Sequence, residues 1–163
     1  QGAGTSGGIT NSTCILYACN SGEYRYSVDG IVVTLGGVII QNGNQTFGAG
    51  VNVGSGSTLN LNNSLVHFND ATQSGAGIFN SGTLNLNNTT VSNNIAQNQG
   101  GGIFNAGTLT LTNSTVSNNT ATNEGGGILS NGGTVSLTGT NVSNNNAGSG
   151  GGIATVFAVS PLS

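Results

Sequence analysis

The side chains able to trade a proton near neutral pH are few: Glu23, Asp29, Asp70, Glu124 and His67. Cleaving a polysaccharide would need two carboxylates facing one bond, or a base beside a bound cation. The four acids fall in different stretches and form no dyad, and His67 reads as a surface histidine rather than a base. Serine and threonine are plentiful, but none has a visible base to activate it. The chain is therefore expected not to be an enzyme, with no catalytic residue, cofactor site or metal site assigned. Cys14 and Cys19 could hold a metal or form a local disulfide. Tetrahedral zinc wants four ligands, and His67 is the single imidazole and lies far along the chain, so the disulfide is the better reading.

What must position these side chains is a repeat. Gly100-Gly101-Gly102-Ile103 returns as Gly75-Ala76-Gly77-Ile78, Gly125-Gly126-Gly127-Ile128 and Gly150-Gly151-Gly152-Ile153, a period of 25. A looser copy begins at Gly48-Ala49-Gly50-Val51. A fixed period of this size marks a stacked architecture in which each repeat buries its apolar side on its neighbours. Within a repeat, Thr108-Leu109-Thr110-Leu111-Thr112 alternates like a half-buried strand. Leu59, Leu84, Leu109 and Val135 form one inward column, and Leu61, Leu86, Leu111 and Leu137 the next. A second strand carries Val51, Ile78, Ile103, Ile128 and Ile153, and a third Val66, Val91, Val116 and Val142. Gly, Asn, Ser and Thr dominate the rest, which argues against helix. The fold class expected is all-β: a right-handed parallel β-helix, or β-solenoid, with about 25 residues and three short strands per coil.

Val91-Ser92-Asn93-Asn94-Ile95-Ala96 followed by Gly100-Gly101-Gly102-Ile103 resembles the repeat of chlamydial polymorphic outer membrane proteins and related bacterial β-helix surface proteins. That repeat pairs F-x-x-N with G-G-small-aliphatic; here Val stands in place of Phe. The resemblance covers about residues 48–153 and implies an extracellular or cell-surface role such as adhesion or display.

Residues 1–22 read as a Gly-rich arm carrying the disulfide and residues 23–163 as the β-helix domain, with regular repeats over 48–149 and a terminal coil over 150–163. Two extra residues are expected near Asn52-Val53, and a one-residue shift at Asn131-Gly132-Gly133 that is recovered before Gly150. The chain contains Met 0, so Gln1 reads as a processed N-terminus or a fragment boundary. No apolar stretch is long enough to span a bilayer. Charged residues are 3% and the net charge is −3, which gives no basic footprint for nucleic acid and little repulsion between copies.

Asn69, Asn94, Asn119 and Asn145 recur at one turn and are expected to stack as a ladder in the left-handed region. The Gly triplets lack the Lys and helix of a phosphate loop and read as corners. The outward row of Thr58, Asn60, Asn62, Thr83, Asn85, Asn87, Thr108, Thr110, Thr112, Thr134, Ser136 and Thr138 resembles the array that ice-binding solenoids present. Asn11, Asn44, Asn62, Asn87, Asn88, Asn113, Asn118 and Asn141 head N-x-Ser/Thr triplets and are candidate glycosylation sites. Neither end carries an evident cap, so Tyr24, Tyr26 and Val28 at one end and Val156, Phe157 and Val159 at the other are expected to meet between subunits. The reading is a secreted structural subunit that polymerises head to tail, its partners being itself and glycans. A monomeric adhesin and an ice-binding solenoid are the alternatives.

Overall fold

The structure, a computed structural model, describes residues 30–156 and two strands ahead of them, Cys14–Tyr17 and Tyr26–Val28. Every regular element among the described residues is a strand, and neighbouring copies pair in parallel. The coil that starts at Ile78 shows the plan. Ile78–Asn80 lies in sheet 1, Thr83–Asn87 in sheet 2, Thr90–Ser92 in sheet 3 and Ile95–Ala96 in sheet 4. Each strand then pairs with its counterpart one repeat on, so the four sheets hold 6, 5, 6 and 4 strands respectively. This is a β-solenoid.

The sequence predicts three strands per coil; the structure has four. The additional sheet is built from Asn44–Phe47, Asp70–Ser74, Ile95–Ala96 and Thr120–Ala121. Two of these strands are two residues long. Such a strand has no room for an alternating pattern, and parallel neighbours hold it rather than its own sequence.

Register follows the repeat. Leu84 pairs with Leu59 on one side and Leu109 on the other, and Val91 with Val66 and Val116. The extra pair of residues falls in the turn after Val53, because Val53 matches Asn80 while Thr58 already matches Thr83. The one-residue shift is also present: Thr108 pairs with Thr134, whereas Glu124 bridges Ser149.

Inside, Leu59, Leu84 and Leu109 stack with Leu61, Leu86 and Leu111, Val66, Val91 and Val116, and Val51, Ile78, Ile103 and Ile128 into one continuous core. Burying each such side chain stabilises the stack by roughly 1.5–3 kcal/mol. A second apolar column was not legible in the sequence. Phe47, Phe79 and Phe104 stand on sheet 1 or beside it, with ring centroids 5.5 Å and 4.7 Å apart. Gly75 and Gly100, at φ 67° and 62°, open this corner. A Cβ on Gly100 would lie 2.9 Å from the Cβ of Phe104, so only glycine fits against the ring.

Candidate functional site

The inner corner between sheets 3 and 4 is built from asparagine. Asn69 Nδ2–H donates to Asn94 Oδ1 at 2.9 Å, Asn94 to Asn119 at 2.9 Å, and Asn119 to Asn145 at 3.0 Å. Each Oδ1 also accepts the backbone N–H of the preceding asparagine, at 3.0, 3.0 and 2.9 Å. Each amide reaches back to a carbonyl of the coil before: Asn94 to Val66, Asn119 to Val91, Asn145 to Val116. Asn69, Asn94 and Asn119 are buried, so these bonds satisfy groups that water cannot reach. The expected ladder is present, with one correction. The left-handed backbone belongs to the residue before it, Asn93, Asn118 and Asn144. That residue makes the bend, and the ladder asparagine is thereby turned inward.

A parallel ladder of hydroxyls escaped sequence reasoning. Ser64, Thr89 and Ser114 are buried where sheet 2 meets sheet 3. Thr89 Oγ1 accepts from Ser64 N–H at 3.3 Å, and Ser114 Oγ from Thr89 N–H at 3.1 Å. Asn80 and Asn105 form another at the turn between sheets 1 and 2, Nδ2 to Oδ1 at 2.7 Å. Ser, Thr and Asn are so common in this chain that type alone could not single these out; the 25-residue spacing was the available signal.

The candidate chemistry maps as follows. Asp70 is exposed on sheet 4, paired with Asn44 and Ile95. Glu124 stands further along the stack, beyond Ser74 and Gln99, and accepts Gln99 Nε2–H at 2.8 Å. The two carboxylates are on different coils and Glu124 is already engaged by its neighbour. His67 is not simply a surface residue, as its outward position predicts. It is half-buried, its Nε2 is sealed from solvent without a hydrogen-bond partner, and burial lowers its pKa from the ordinary 6.5. Its ring lies 4.6 Å from that of Phe68.

The outward row on sheet 2 is in register over four coils from Thr58 to Thr138; within it Asn85 Nδ2–H donates to Asn60 Oδ1 at 2.8 Å, and Asn60 Nδ2–H donates on to Thr34 Oγ1 of the coil before at 3.0 Å. Among the sequons, Asn44, Asn87, Asn88, Asn113, Asn118 and Asn141 are exposed and Asn62 is half-buried.

The two ends of the stack differ from each other. Val28, placed at the subunit junction by sequence, is fully buried and belongs to the core, and its strand Tyr26–Val28 pairs with Val51–Val53 as the first strand of sheet 1. At the other end the core columns are open: Leu137 is 38% exposed and Ile153 41%, while Val135, Val142 and Val156 are half-buried. Tyr24, Phe157, Val159, Asn11, the side chain of Tyr26 and the Cys14–Cys19 pairing lie outside the described residues. Among the described residues no helix is long and apolar enough to cross a membrane. Comparison with family models, with curated proteins and with solved structures finds no match for this chain.

Proposed function

We propose that this chain is a non-catalytic, extracellular structural subunit that polymerises head to tail into a filament. The observation that carries the reading is the open last coil. Among the described residues, Thr134–Thr138, Asn141–Ser143 and Ile153–Val156 are the outermost strands of sheets 2, 3 and 1 at that end. Each offers a row of backbone groups on one side, and in the core columns beneath them Leu137 and Ile153 are exposed and Val142 is half-buried where Leu111, Val116 and Ile128 are covered. Unpaired strand edges over exposed apolar columns template the addition of another chain. A contact between two different ends propagates as an open filament rather than closing into a dimer.

A second copy would seat by continuing the register of the stack. Asn141–Ser143 would pair with Cys14–Tyr17 of the next subunit, and Ile153–Thr155 with Tyr26–Val28, extending sheets 3 and 1. The winding is taken as right-handed, the hand that parallel crossovers adopt. A low charge content leaves little to oppose the approach. The Cys14–Cys19 disulfide would then pin the loop beside the receiving edge. Negative-stain microscopy of the purified chain tests the reading. Unbranched filaments one solenoid wide support it, and isolated particles at every concentration transfer the chain to the monomeric adhesin class.

A further inference from the structure

One corner of the stack breaks the repeat. Where the following coils read Val-Ser-Asn-Asn, at Val91–Asn94 and Val116–Asn119, this coil reads Val66-His67-Phe68-Asn69, and then Asp70 where the next coils carry Ile95 and Thr120. Phe68 takes the position that Asn42, Asn93, Asn118 and Asn144 hold in other coils, and it takes their left-handed backbone too, at φ 50°. Asparagine tolerates that region; a bulky aromatic there is strained. Nor does the ring recover the strain by burial, since Phe68 is 56% exposed. A strained residue that gains little for the fold marks a place where the surface is used for something else.

The neighbourhood narrows what that is. Phe68 N–H donates to Asn93 O at 3.1 Å and Phe68 O accepts from Asn42 N–H at 3.0 Å, so the residue takes its place in the stack between two asparagines on the neighbouring coils. Asp70 lies two residues on, exposed, with exposed Asn44 and Ile95 paired to it on either side. The patch joins an apolar ring and an aliphatic side chain to amides and one carboxylate, and no Lys or Arg stands there among the described residues. A sugar has the complementary chemistry. The C–H face of a pyranose packs flat on an aromatic ring, while its vicinal hydroxyls donate to a carboxylate and exchange hydrogen bonds with amides.

We propose that Phe68, Asp70 and the flanking Asn42 and Asn93 form a binding site for a neutral pyranose unit of a polysaccharide. Phe68 is the platform, Asp70 and the two asparagines fix the hydroxyls, and Ile95 extends the apolar floor. The site is shallow and each contact is weak. Repetition along a filament would convert it into avid binding to a long glycan, although the site itself does not depend on assembly.

The test is a titration of the intact chain with neutral gluco-, manno- and N-acetylglucosamine oligosaccharides at millimolar concentration, read from backbone amide shifts. The expected result is saturable shifts confined to Asn42, Asn44, Phe68–Asp70, Asn93 and Ile95 with at least one sugar series. Phe68→Asn restores the residue that the other coils use. It should raise the melting temperature and weaken sugar binding by at least about tenfold. Asp70→Asn should weaken binding and leave melting unchanged. No response to any series, unchanged binding by Phe68→Asn, or shifts centred on another face each overturn the proposal. So does a response to peptides alone.

Discussion

The coil beginning at Ile103 and the coil beginning at Ile128 are close copies, yet their side chains lead different lives. Leu109, Leu111 and Val116 are fully buried, whereas their partners Val135, Leu137 and Val142 are half-buried or exposed. The residue types hardly differ. What differs is that, among the described residues, the first coil has a neighbour on both sides and the second has one on one side only over most of its length. Burial in this molecule is thus conferred by the next coil, not by the coil itself, as expected of a solenoid whose stability sums over interfaces. The same contrast holds for polar groups. Asn94 has a neighbouring asparagine above and below, while Asn145 ends the ladder.

Substitutions can sharpen this contrast. The largest effect should come from Leu109→Asp, which puts an unpaired carboxylate into the core and should leave no cooperative thermal transition, read by circular dichroism. Leu109→Ala should cost about 2–5 kcal/mol and Leu137→Ala less than about 1 kcal/mol in chemical denaturation of the monomer, although both remove the same atoms. Equal costs would mean that the last coil is covered in solution.

Asn94→Ala comes next. It removes the acceptor of the Asn69 N–H and leaves the buried Val66 carbonyl without its amide. A loss of about 2–4 kcal/mol is expected, against about 1 kcal/mol for Asn145→Ala at the ladder's end. Gly102→Ala probes the packing limit at the same corner. Its Cβ would fall 2.6 Å from the Gly127 carbonyl and 2.9 Å from Asn119 Nδ2, so the coils must separate, at about 1–3 kcal/mol.

The smallest effect concerns His67. Burial favours its neutral form in the folded state, so the folded pKa lies below the ordinary 6.5. Above that value neither state binds the proton and the residue is silent. As pH falls below 6.5 the unfolded chain takes up a proton more readily than the folded one, so stability declines until the lowered folded pKa is passed. His67→Ser, the residue of the neighbouring coils, should flatten this part of the pH–stability curve. An unchanged curve would place the ring in water.

The inward columns, the register and the asparagine ladder were legible because each repeats one residue type at one spacing. Leu59, Leu84 and Leu109 need no further clue. The fourth sheet was not legible, since Ile95–Ala96 and Thr120–Ala121 are too short to alternate and their extended shape comes from the neighbours they pair with. The buried Ser64–Thr89–Ser114 ladder was hidden by composition, serine and threonine being everywhere. Phe68 was passed over because it departs from the pattern, and periodic reasoning attends to what recurs.

The central claim is that the open last coil receives another copy of the chain. Sedimentation velocity over a wide concentration range tests it most directly. The account predicts a broad, concentration-dependent population of large species for the 163-residue chain. It predicts a single monomer boundary for Val142→Asp and for Ile153→Asp, with Ser136→Asp on the outer face still assembling. A single monomer boundary for the unaltered chain at every concentration would contradict it.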